Sequence, residues 1–78
     1  MGGQSVRILA RRHRVFPAKI RREGDGSVLK IDAVERCWTE VGQEGAAKFV
    51  YRVRSGSRRF FLHEDGRRSG LAVMSSPQ

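Results

Sequence analysis

Cys37 with either His13 or His63 is the sole nucleophile-and-base combination in the sequence, and nothing around Cys37 resembles a nucleophile signature. One cysteine and two distant histidines fall short of the four ligands of a structural zinc site. Glu64 and Asp65 form a weak carboxylate pair for acid-base work, because His63-Glu64-Asp65 reads as a strand end running into a turn. Gly24-Asp25-Gly26 lacks the strand, helix and lysine context of a phosphate-binding glycine loop. The chain is therefore expected to be no enzyme and to use no metal or cofactor.

Charge is the more informative chemistry. Sixteen basic residues face eight acidic ones, for a formal net charge of +8, and thirteen of the basic residues are arginine. The planar guanidinium fork suits phosphate and carboxylate better than a lysine point charge does. The excess sits in the first 22 residues, where Arg7, Arg11, Arg12, Arg14, Lys19, Arg21 and Arg22 meet no acid. Arg11, Arg12, Arg14, Arg21 and Arg22 are thus candidate contacts to a phosphate backbone, set against the plainer reading of a solubilising basic arm. Alternation along Lys48 to Arg54 places Lys48, Arg52 and Arg54 on one face of a strand, with Arg58 and Arg59 just across a turn, a candidate second basic stripe set against the plainer reading of a solvated face. Phe60 and Phe61 are adjacent and face opposite sides of the sheet, so one of them is a candidate platform for a stacked base, set against the plainer reading that both fill core on the two sides of a two-layer fold. Phe49, Tyr51 and Trp38 read as core.

These groups need a scaffold, and 78 residues allow one small core. A hydrophobic share of 38% argues for a folded centre. A single cysteine excludes an intramolecular disulfide and fits a reducing cytoplasm. No apolar run reaches the roughly 18 residues of a membrane span, and the first 22 residues lack the apolar region of a secretory signal. They share the Arg-rich, acid-free composition of a mitochondrial transit peptide, but Val6, Ile8 and Ala10 follow period two rather than a helical face.

Ser5 to Ala10 reads as a first strand, and Val15, Phe16 and Ile20 as a second apolar stretch that Pro17 confines to a sheet edge, a strand start or a bulge. Asp25-Gly26 is the strongest hairpin signal. It leads into Ser27 to Trp38, read as the longest strand with a change of facing at a bulge; the alternative is an α+β fold with one helix near 28–38. Glu40 to Ala47 reads as a polar loop. Strands follow at Lys48 to Arg54, Arg58 to His63 and Gly70 to Met74, separated by Ser55-Gly56-Ser57 and Glu64-Asp65-Gly66. Residues 1–4 and 75–78 are expected to be flexible ends around one domain spanning 5–74. The class is mainly β, a small antiparallel meander forming a barrel-like or two-layer sheet.

Phe16-Pro17 leading into a hairpin, Val34 followed by Trp38, Tyr51-Arg52-Val53, and Phe60 to Leu62 with Asp65 resemble a family of small bacterial β proteins. Some of its members stand fused behind Y-family DNA-polymerase-like proteins. The resemblance covers roughly Val15 to Val73. It departs from the family where Ala18-Lys19-Ile20 replaces an aromatic residue and where a final tryptophan is absent. It implies a small β fold in a nucleic-acid setting, with no catalytic residue to transfer.

The expected function is low-specificity binding of DNA or RNA through Arg11, Arg12, Arg14, Arg21 and Arg22, helped by Arg52, Arg54, Arg58 and Arg59. The alternative is a protein-interaction module that offers a sheet edge or barrel face to a protein partner. A homodimer that hides the sheet edges is also open to a fold of this kind, and no membrane partner is expected.

Overall fold

Side chains alternate between apolar and polar along most of this chain, the period of a strand with one face buried. A computed structural model describes residues 3–42, 45, 47–66 and 70–75. Seven strands form: β1 (Gln4–Arg12), β2 (Phe16–Arg22), β3 (Val28–Lys30), β4 (Ala33–Val41), β5 (Ala47–Ser55), β6 (Arg58–Asp65) and β7 (Leu71–Ser75). No helix occurs among the described residues, and none is therefore long and apolar enough to cross a membrane.

All pairings are antiparallel, in the order β3-β2-β1-β7-β6-β5-β4, and the sheet curls into a half-barrel. Every strand lies beside its neighbour in the chain except β3 and β4, and β7 returns to pair with β1. The mainly β expectation holds. The helix considered for 28–38 does not form, because the chain there continues the ladder started at the Asp25-Gly26 turn.

That turn is built as its residues require. Gly26 takes φ 73°, its N–H donates to Arg22 O, and Asp25 Oδ1 accepts from both the N–H and the hydroxyl of Ser27. The chain from Val28 to Val41 then runs on without a turn and changes partner midway. Ile31 N donates to Ala18 O of β2 at 2.8 Å, and the next amide, Asp32 N, donates to Arg54 O of β5 at 2.8 Å. The expected single long strand is thus two, joined at a clamp between the sheet's two ends. The change of facing falls at Glu35, where the β4–β5 register slips between Val34 and Arg36.

The concave face holds the core: Val6 and Ile8 from β1, Ile20, Ile31, Tyr51 and Val53, Phe60 and Leu62, and Ala72 and Met74. Each fully buried aliphatic side chain here contributes about 1.5–3 kcal/mol relative to exposure. Pro17 sits on β2 beyond the reach of β3, whose ladder ends at Lys19, so its missing N–H removes no bond from that side.

The basic N-terminal segment is not a loose arm. It is the β1–β2 hairpin, and Gln4, expected to fray, pairs with Met74. The hairpin closes with Val15 N donating to Arg12 O, while His13 (φ 56°) and Arg14 (φ 64°) both adopt the left-handed conformation of a type I′ turn. Non-glycine residues there are strained by about 1 kcal/mol each. The expected loop from Glu40 to Ala47 is shorter than read, because β4 extends through Glu40 and Val41 and β5 begins at Ala47. Residues 43, 44 and 46 of that loop, 1–2 at the start and 76–78 of the expected tail lie outside the described residues; Ser75 belongs to β7.

Replacing His13-Arg14 by Asn-Gly, the pair that a type I′ turn prefers, is expected to raise stability by about 1 kcal/mol in urea unfolding, with an unchanged m-value.

Candidate nucleic-acid interface

On the convex face, the outward residues of β4, β5, β6 and β7 stand in rows. Trp38, Val50, His63 and Val73 form one row; Arg36, Arg52, Phe61 and Ser75 form the next; Arg54 and Arg59 lie beyond. Strand alternation puts these side chains on one side of the sheet, opposite the core. Val50 is buried between Trp38 and His63, whereas Trp38 keeps 38% of its surface exposed. The Trp38 and Phe61 rings meet edge to face, with centroids 6.2 Å apart, an arrangement worth about 0.5–1.5 kcal/mol beyond the area it buries. The Trp38 indole N–H donates to Glu40 Oε2 at 2.9 Å, and this bond, with Lys48 beside it, holds the Glu40 carboxyl below its ordinary range.

Glu35, the bulge residue, lies among the arginines. Arg59 Nε donates to its carboxylate at 3.0 Å and Arg52 Nε lies 3.4 Å away. The Arg59 hydrogen bond, with the charges of Arg59, Arg52 and Arg54, keeps the Glu35 carboxyl below its ordinary range. Four guanidinium groups and one carboxylate leave this end of the face positive, directly beside the aromatic pair.

The structure separates the remaining sequence candidates. Phe60 is in the core, and Phe61 is the outward member of the pair. Arg21 is outward on β2 with its register partner Arg7, away from the Trp38 rows. Arg22 is partly buried and lies 3.9 Å from Asp25. Arg12 reaches across the clamp to the carbonyls of Ile31 and Asp32. Arg14 is exposed at the hairpin tip, and Arg58 is exposed at the β5–β6 turn; neither forms a salt bridge among the described residues. Arg11 is committed elsewhere altogether, as described below. Arg36 and Trp38 were missed because the bulge at Glu35 reverses the facing of everything after it. The signal available was the run Val34-Glu35-Arg36, which breaks alternation.

On the concave side, β4 and the β1–β2 hairpin splay apart around a cleft of about 560 Å³ lined by Arg14, Val15, Phe16, Thr39, Phe49 and Tyr51, among others. At its floor Arg11 forms a two-pronged ion pair with the buried Glu64 carboxylate, which also accepts a bond from the Tyr51 hydroxyl at 3.3 Å. Arg11 Nη1 further donates to Val15 O at 2.8 Å and so ties the hairpin tip to β6. Burial, followed by the Glu64 charge, raises the Tyr51 phenol above its ordinary value, while the Glu64 bond raises Arg11. Cys37 lies on the concave side of β4 and His63 on the convex side of β6, so the sheet stands between them.

The fold and its convex face define a half-barrel β module that carries an arginine cluster around an aromatic pair. No family model, no curated protein and no solved structure matches the chain.

Removing Arg11 strands a buried carboxylate, whereas removing the Glu64 charge leaves a guanidinium that can turn to water. Arg11→Met is accordingly expected to cost about 3 kcal/mol and Glu64→Gln about 1 kcal/mol in denaturant unfolding. A second expectation concerns His63, whose Nε2 lies 3.3 Å from the Ser75 hydroxyl and whose Nδ1 is buried without a hydrogen-bond partner. Burial, then the Lys48 charge, pushes its pKa below the ordinary value, so near that value the unfolded chain binds more protons than the folded one. The resulting stability is complete above about pH 6.5 and is lost as pH falls through the lower folded value. Melting temperatures of His63→Gln should fall less than those of the parent between about pH 7 and about pH 5.

Proposed function

We propose that the protein is a non-enzymatic module that binds single-stranded nucleic acid with low sequence specificity on the convex face of β4–β7. The observation that carries this reading is the placement of an exposed tryptophan, paired edge to face with Phe61, beside Arg36, Arg52, Arg54 and Arg59. A sheet face with exposed aromatics flanked by positive charge offers π surfaces to unstacked bases and cations to the backbone between them. Stacking tolerates any base, and no helix is present among the described residues to enter a major groove, so discrimination between sequences is low and single strands are preferred to duplex.

The net charge of +8 supports fast, salt-sensitive association with a polyanion. The resemblance to small β proteins found beside DNA-polymerase-like domains points the same way. Compared with the expectation drawn from composition, the contact set moves from the N-terminal arginines to Arg36, Arg52, Arg54 and Arg59, with Arg21 and Arg58 peripheral to it.

Binding is read from the fluorescence of Trp38, the single tryptophan, on titration with short oligothymidylate and with duplex DNA at two or more salt concentrations. Single strands should quench it, with log K falling against log salt at a slope of about −2 to −3. Followed by NMR, Trp38→Ala should lose about 1–3 kcal/mol of affinity, while Glu35→Gln, which frees Arg52 and Arg59, should bind more tightly and steepen the slope by about 1. Tight duplex binding that is indifferent to Trp38 would falsify the reading.

A further inference from the structure

The concave cleft exists because the Val28–Val41 course leaves β2 for β5 at the Ile31–Asp32 clamp. Beyond the clamp, among the described residues, β4 pairs with β5 alone, and its other edge from Arg36 to Val41 carries no strand. A single edge of this length leaves alternate N–H and C=O groups open to an incoming chain. The opposite wall of the cleft is no competitor for those groups. It consists of the side chains at the β1–β2 hairpin tip, Val15 and Phe16, followed by Pro17, which has no N–H to give.

The surfaces around this slot match the two needs of an added strand. Apolar groups remain uncovered along it: Val15 is 50% exposed, Phe49 40% and Val41 74%. Cys37, Thr39 and Val41 alternate toward the concave side, so every second residue of a strand laid beside β4 would face Phe49, Tyr51 and Phe16. The charge left free around the slot is basic. Glu35 and Glu40 of β4 are engaged by Arg59 and by Trp38 and Lys48, and Glu64 is engaged by Arg11. Arg14 and Arg36 make no salt bridge among the described residues. A second copy of the chain would bring another net charge of +8 to the same place.

We infer that the free edge of β4 is a docking site for an extended acidic peptide of a partner protein, which adds as a strand in the cleft between β4 and the β1–β2 hairpin tip, its apolar side chains over Phe49 and Tyr51 and its carboxylates near Arg14 and Arg36. This site borders the convex face at Arg36 and Trp38, whereas Arg14, Val15 and Phe16 belong to the cleft alone, so the hairpin tip tells the two readings apart.

The test is an amide NMR titration of the full chain with a capped peptide of about six residues, a common strand length, that alternates valine and glutamate. Two control peptides carry N-methyl groups on alternate amides or lysine in place of glutamate. The expected result is saturable shifts at Arg36 to Val41 and at Val15 and Phe16, with at least tenfold slower hydrogen exchange of β4 edge amides at saturation. The N-methylated peptide should bind at least tenfold more weakly and the lysine peptide should not bind. Arg14→Glu, an exposed turn substitution, should weaken the glutamate peptide and admit the lysine one. No shift up to about 1 mM peptide, equal binding of the N-methylated peptide, or no response to Arg14→Glu would overturn the inference. So would edge protection that rises with protein concentration alone, which would assign the edge to a second copy. Shifts of Val15 and Phe16, the cleft residues away from the convex face, by oligothymidylate would also overturn it, by assigning the cleft to nucleic acid.

Discussion

The architecture depends on two successive amides that donate in opposite directions. Ile31 N bonds to β2 and Asp32 N to β5, so one dipeptide holds together strands that the sheet order places far apart. A seven-stranded sheet left flat would expose either its apolar face or its edges; tied at these residues it must curl, and the curl encloses Ile31 itself with the core. Neighbouring groups reinforce the tie. Ser55 Oγ donates to Lys30 O, Gly56 N donates to Asp32 Oδ2 at 2.6 Å, and Arg12 reaches the two carbonyls of the dipeptide. Both the convex face and the cleft follow from this constraint. The convex face is wide because the main core cluster is on the other side, with the buried Val50 on this one. The cleft opens because the chain that could have continued along β2 has been drawn across to β5.

The strands were legible in the sequence wherever period two was unbroken and a glycine marked the turn. Phe49-Val50-Tyr51-Arg52-Val53 and the Asp25-Gly26 hairpin are of this kind, since alternation fixes which face is buried and glycine supplies the positive φ at no steric cost. The β1–β2 turn was not legible, because His13-Arg14 is an unfavoured occupant of left-handed positions that tertiary pairing on both flanks forces into place. Without that turn, seven positive charges read as an arm. The site was half legible. Arg52, Arg54 and Arg59 follow from alternation and the turn, which left open which of Phe60 and Phe61 faces outward, and Trp38 read as core. A tryptophan in an amphipathic strand is usually inward, and only the one-residue slip at Glu35 puts it outside.

The arrangement of charge also differs in kind from its arrangement along the chain. Arg11 and Arg12, adjacent in sequence, are used for opposite purposes: the first neutralises a buried carboxylate under the cleft, the second braces the clamp. Arginine suits both tasks because its fork makes several directed bonds at once; Glu64 neutralises the first charge, whereas Arg12 keeps its own, because the carbonyls it bonds are neutral. The fold decides which guanidinium groups are left without a carboxylate, and on the convex face Glu35 engages two of them, Arg52 and Arg59.

The position of β7 bears on how the molecule reaches this state. β1, β2 and β3 form one set of sequential hairpins and β4, β5 and β6 another, each assembled from contacts local in the chain. β7 alone pairs with both, against β6 on one side and β1 on the other. During synthesis the two halves can form their hairpins early, but the sheet between them cannot be completed until the last strand is available, and pairing β7 with β1 closes a loop of nearly the whole chain. Loop closure of that span is the entropically slow step, so cooperative folding in this small domain is held back to its final strand.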